Sequence, residues 1–280
     1  LKKLHQVLTP LVFSALVLTN SGAAQNSPPL ASPSSPATTP SPTAPQVLQQ
    51  TRQLLDWLGF ISLLEEVPAT LNLSLEAEAR FRSATPAQVD GWQRALENRL
   101  KPQQLQTELE HYVAERYRAE TYTRVNQILQ DPLTKRVRYF DLAMTRPGVA
   151  KNLPQLRAEI HGEPSAERRA LIEDIDAGAA TSLLAAILQT GVTERVRLSA
   201  GAAPSDDALL QAEIAERQRF LAPLTADYAL YAYRYLRDEE LAAYRDLLRD
   251  AQLQWLLDVS RQGLAAVLQG GVKPPPDSKR

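Results

Sequence analysis

Carboxylates are the reactive groups this chain has in quantity, and most other chemistries are excluded by composition. Cys is absent, so disulfides, thiol nucleophiles and thiolate metal sites are ruled out. Of the three His, His5 lies in the N-terminal segment that reads as a signal. His111 and His161 stand far apart, and neither belongs to an H-E-x-x-H pattern. Metal centres without Cys need clustered His or acids, so no metal site is expected, and both His read as structural. No Ser sits in a G-x-S-x-G elbow, and no Gly-rich phosphate cradle occurs. No cofactor is expected. What remains is acid catalysis of the kind helical muramidases perform, where one Glu with a raised pKa protonates a glycosidic oxygen. Glu65, Glu66 and Glu240 are the candidates because each adjoins apolar residues. The Glu-Ser and Gly-Leu-Met-Gln motifs expected of lytic transglycosylases are missing, and the chain reads as a non-enzyme, with the cell-wall hydrolase as the alternative.

Binding chemistry has a stronger signal. Four of the nine tyrosines, Tyr228, Tyr231, Tyr233 and Tyr235, fall within eight residues. Leu224, Tyr228, Tyr231 and Tyr235 are spaced by four, three and four, which puts them on one helical face. A ring with a polar tip suits a groove for a sugar, peptide or lipid, so Tyr228, Tyr231 and Tyr235 are the candidate ligand-binding residues. The competing reading packs the rings into the core with their hydroxyls reaching water or main-chain carbonyls. The expected partner is an envelope protein or a small apolar or sugar ligand. Lys plus Arg number 31 against 32 acids and are dispersed, without the basic excess or patch a nucleic-acid binder needs.

The elements that must position these residues are helical. Apolar residues recur at three and four: Leu54, Leu58 and Ile61; Leu105, Leu109 and Tyr112; Leu133, Val137, Phe140 and Met144; Leu184, Ile187 and Leu188; Leu253, Leu256 and Leu257. That is the period of a helix with one buried face. Two-residue alternation is absent. Thr85-Pro86 with Gln88 predicts a capping box, and Asp131-Pro132 predicts a second helix start. Pro102, Pro147, Pro164, Pro204 and Pro223 mark further boundaries. The fold class is all-α, an irregular helical bundle of about ten to twelve helices.

At the N-terminus, Lys2 and Lys3 precede an apolar run from Val7 to Leu18 and then Ser21-Gly22-Ala23-Ala24, the order of a secretory signal. The run is shorter than the roughly 20 residues that cross a bilayer, so no stable membrane insertion is expected after cleavage. Residues 25–46 are rich in Pro, Ser, Thr and Ala and read as a disordered linker. Residues 47–270 form the helical domain and 271–280 a polar tail. The expected location is periplasmic or secreted.

A shift of 119 positions places Tyr112 on Tyr231, Arg118 on Arg237, Glu120 on Glu239, Leu129 on Leu248 and Asp131 on Asp250. On this reading the domain has two related halves, 47–160 and 161–270. The same shift is close to a whole number of helical turns, so periodicity alone also aligns these positions.

Asp238-Glu239-Glu240-Leu241, Tyr244, Leu247-Leu248 and Asp250, with Gln130-Asp131-Pro132-Leu133 in the first copy, resemble the exported bacterial proteins catalogued as domain of unknown function 2059. Their signature is a Glu-Leu pair, apolar residues, then Ser-Pro-x-Gly opening the next helix. Here Asp131 and Asp250 replace Ser, Thr134 and Leu253 replace Gly, and Ala251 replaces Pro. The resemblance implies an all-helical periplasmic protein and carries no catalytic residues with it.

Overall fold

The computed structural model describes residues 43–144 and 164–270. The signal segment, most of the linker, Pro147, His161 and the tail lie outside the described residues. Thr43 opens the first helix, α1 (Ala44–Trp57), its N–H donating to Gln46 Oε1 at 2.8 Å with Pro45 in the first turn. The helical domain therefore begins inside the stretch read as linker. A Thr–Pro–Gln cap there has the same chemistry as the one at Thr85.

The chain continues as α2 (Phe60–Glu65), α3 (Val67–Arg82), α4 (Pro86–Glu97), α5 (Pro102–Ala114), α6 (Ala119–Gln130) and α7 (Pro132–Met144). It resumes as α8 (Ala166–Ala179), α9 (Thr181–Ser199), α10 (Asp207–Ala232), α11 (Asp238–Leu248) and α12 (Ala251–Gln269). These are twelve helices, with no strand among the described residues. The all-α bundle expected from periodicity is what forms. Thr85 caps α4 as predicted, its N–H donating to Gln88 Oε1 at 2.8 Å. Asp131 caps α7 by accepting the Leu133 N–H at 2.8 Å. Pro223 departs from expectation: it sits inside the 26-residue α10 instead of ending it. The residue is exposed, so water can replace the missing helix bond, and packing of α10 against α8 and α9 holds both sides of the break in line.

Helix α9 is the centre of the bundle. Leu184, Ala185, Ala186, Ile187, Leu188, Val192 and Val196 are all buried, so its apolar surface extends around the helix, as it must for an element covered on every side. It contacts α2, α3, α4, α8, α10 and α12. Gly191 allows a close approach to α12, since a Cβ there would lie 2.8 Å from Leu268 Cβ.

The helices of the two described segments correspond in order. Shifted by 119 positions, the start of α6 falls on the start of α11 and the start of α7 on that of α12. Asp131 and Asp250 cap the latter pair in the same way. Helix α1 answers to α8, the pair α2 and α3 to α9, and the pair α4 and α5 to α10. Gly59 and Ala180, both with left-handed φ (81° and 59°), precede α2 and α9. Packing is reciprocal as well: α5 meets α12 as α10 meets α7, α6 meets α12 as α11 meets α7, and α1 meets α5 as α8 meets α10.

Candidate functional site

Between these reciprocal elements lies a cavity of about 160 Å³. Its wall is chiefly apolar: Leu63, Leu129, Leu184, Leu248, Leu253 and Leu257 line it, with the Trp57 ring at one side. The polar lining consists of Thr134, Arg138 and Asp141 of α7 with Tyr244 of α11, which make up one polar end, and of Thr181 at the start of α9. The positions 134, 138 and 141 are spaced by four and three, so a single helical face presents all three.

Arg138 is held by the end of α1. Its Nη1 donates to the Trp57 carbonyl and its Nη2 to the Asp56 carbonyl, the latter at 3.4 Å. Its guanidinium carbon lies 4.2 Å from the centroid of the Trp57 ring, a cation–π arrangement. Burial pulls the Arg138 pKa below its ordinary value, opposed by the carboxyls of Asp56 and Asp141. Burial likewise pushes the Asp56 carboxyl up, with Arg138 opposing it.

Asp141 accepts a hydrogen bond from the Tyr233 hydroxyl at 2.7 Å. Desolvation pushes its carboxyl up to about 7, against the lowering effects of that hydrogen bond and of Arg138. The phenols of Tyr228, Tyr233 and Tyr244 all rise above their usual range, each first through burial and then through the charge on Asp141. Asp141 thus sits among three tyrosines and is poised to change charge near neutral pH. Thr134 is 6% exposed, and its hydroxyl is buried with no hydrogen-bond partner among the described residues.

The sequence-predicted tyrosine face is spread over three environments. Tyr228 is buried, Tyr231 is half-buried with the Arg234 guanidinium 3.8 Å from its ring centroid, and Tyr235 is 66% exposed with the same guanidinium at 4.4 Å. None of the three lines the cavity. Within the cluster it is Tyr233 that reaches the site's polar end, through its hydrogen bond to Asp141. It caps the C-terminus of α10, so its direction departs from the helical phase used to place the others.

The predicted acids are elsewhere. Glu65 is exposed, and Glu66 is buried at the start of α3. Glu240 accepts the Arg237 N–H at 2.9 Å and pairs with Arg136 at 2.6 Å. The Arg237 N–H bond, then the nearby Arg136 and Arg237 charges, hold its carboxyl below the usual range, the opposite of what a general acid needs. His111 is half-buried on α5. Among the described residues no three His, Asp or Glu side chains converge as a metal site, and no helix is long and apolar enough to cross a membrane.

Arg138, Asp141, Thr134 and Tyr244 escape a reading by residue type, because Lys135-Arg136-Val137-Arg138 resembles a solvated charge run. One signal does mark them. The shift of 119 sets Thr134 against Leu253 and Arg138 against Leu257, so polar residues stand where the other segment has core leucines. Compared with known proteins, the chain matches no protein family, no curated protein and no solved structure.

Proposed function

We propose that this protein is a non-catalytic binder of the bacterial envelope that holds a small, largely apolar ligand in the cavity between its two helical segments. The observation that carries the reading is the cavity itself: about 160 Å³ walled by leucines, with four convergent polar groups at one end. Apolar walls supply affinity and a few placed polar groups supply orientation. Placement in the envelope rests on the N-terminal signal pattern and on the resemblance to exported helical proteins.

Native mass spectrometry of the mature protein, purified from periplasm without detergent, tests this. A reproducible extra mass that is lost in Leu184→Phe, which fills the cavity, is the expected result. A bare protein, or a mass retained in that variant, contradicts it.

A second reading is favoured by Asp141 alone. A carboxyl titrating near 7 at a cavity wall has the poise of a general acid. In that case the cell-wall hydrolase would depend on Asp141 and not on Glu65, Glu66 or Glu240. Peptidoglycan zymography with Asp141→Asn separates the two readings: a lysis zone from the wild type that is absent from the variant supports catalysis.

A further inference from the structure

The two helical segments line the cavity with corresponding positions, and the comparison between them isolates what is special about one end. Leu129 and Leu248 correspond, both lining and both apolar. Leu63 and Leu184 hold equivalent places after Gly59 and Ala180 and also both line it. At two further pairs the match in character breaks. Thr134 faces the cavity where its counterpart is Leu253, and Arg138 where its counterpart is Leu257. The second segment therefore shows that leucine fits these positions and fills them well. Polar residues there sacrifice apolar burial, and a buried guanidinium carries a desolvation penalty as well.

The polar end has more donor capacity than the protein uses. Among the described residues both hydrogen bonds from Arg138 go to main-chain carbonyls, which orient the guanidinium without neutralising it, and a guanidinium has five N–H donors. The Thr134 hydroxyl, one turn away on the same face, is buried and has no partner among the described residues. The nearest acidic influences are Asp56 and Asp141, whose carboxyls burial pushes upward, and among the described residues neither carboxylate is hydrogen-bonded to Arg138. A guanidinium on the wall of an apolar cavity, with a threonine one turn away on the same face, is complementary to a carboxylate with an apolar body.

We propose, on the basis of the cavity-binding reading above, that the occupant is a small monocarboxylic acid, its carboxylate docked on Arg138 and Thr134 and its apolar body against Leu63, Leu184, Leu253 and Leu257. The volume sets the size. An apolar cavity of about 150 Å³ accommodates benzene, so an acid of roughly six carbons fits the 160 Å³ here.

Isothermal titration of the full mature chain with hexanoate and with hexan-1-ol, at about pH 6 where a simple carboxylic acid is ionised, tests the assignment. Hexanoate is expected to bind about tenfold or more tighter than hexan-1-ol, a difference of about 1.4 kcal/mol. Arg138→Gln removes that preference while hexan-1-ol still binds, and Leu184→Phe abolishes binding of both. Should Arg138→Gln fail to fold, Thr134→Val provides the second arm: it weakens hexanoate by several-fold and leaves hexan-1-ol unchanged. Equal or tighter binding of hexan-1-ol by the wild type overturns the carboxylate assignment and leaves the cavity reading standing. Binding of neither probe overturns both. Unchanged hexanoate affinity in Thr134→Val, or binding that survives Leu184→Phe, overturns the placement of the ligand.

Discussion

Ser74 Oγ and Thr193 Oγ1 lie 3.2 Å apart, and the two residues are separated by 119 positions, the shift that superposes the starts of α6 and α7 on those of α11 and α12. The contact joins α3 of the first segment to α9 of the second. A contact at this place couples the segments directly. Thr193→Val is expected to destabilise the protein by about 1 kcal/mol by stranding the Ser74 hydroxyl. The double variant Ser74→Ala/Thr193→Val should lose less than the sum of the single losses. Urea denaturation of the four proteins measures both quantities.

Gly59 and Ala180 occupy equivalent left-handed positions, but only glycine adopts that conformation without strain. Ala180→Gly is therefore expected to stabilise the fold by about 1 kcal/mol or less, the released strain being partly offset by added freedom in the unfolded chain. Gly59→Ala should destabilise by about 1 kcal/mol or more. Thermal unfolding midpoints that move in opposite directions for the two variants bear this out. Equal shifts in one direction count against it.

Asp141 gives stability a pH dependence of definite sign. Its folded pKa is raised to about 7, above an ordinary aspartate near 3.9. Between roughly pH 4 and 7 the folded state holds a proton that the unfolded state has released, so stability falls as pH rises through this window. Above it this group contributes no further change. The slope from one such group is at most about 1.4 kcal/mol per pH unit. Asp56 and Asp176 are shifted upward too, through burial first, and add to the same trend. Asp141→Asn should flatten the fall in urea midpoint between about pH 5 and 7 without removing it.

Tyr233→Phe removes the hydroxyl that stabilises ionised Asp141. The Asp141 pKa is then expected to rise further, moving the lower end of the stability curve to higher pH. Carboxyl-carbon NMR of Asp141 across the titration reads this directly, and an unchanged midpoint would falsify the contact.

Much of the fold was legible before any coordinates. The three-and-four spacing located the buried faces of α5, α9 and α12, while of the described α7 stripe only Val137 is fully buried, beside Thr134, and the Thr85 and Asp131 caps follow from side chains meeting orphan N–H groups within the first turn. Pro223 misled because a proline's effect on a helix depends on whether neighbouring helices grip both sides, which is a tertiary fact. The clustered tyrosines do not line the cavity, for a related reason. Tyr233 turns inward only because α10 ends beside it, so the helical phase extended through Tyr235 described a helix that has already stopped. Arg138 and Asp141 were hidden within a charged stretch, and their partners lie far away in sequence, the end of α1 for Arg138 and Tyr233 for Asp141. The correspondence of Arg138 with Leu257 was the one clue within the sequence that a charge occupied a core position.

The most direct test of a cavity shared by the two segments is methyl NMR of leucine-labelled protein titrated with hexanoate and with hexan-1-ol. The methyls of Leu63, Leu129, Leu184, Leu253 and Leu257 are expected to shift together and saturably, while the exposed Leu209 stays fixed. Silence at those five, or shifts confined to Leu224 and Leu230 beside Tyr228 and Tyr231, would contradict the account and return the search to the tyrosine face.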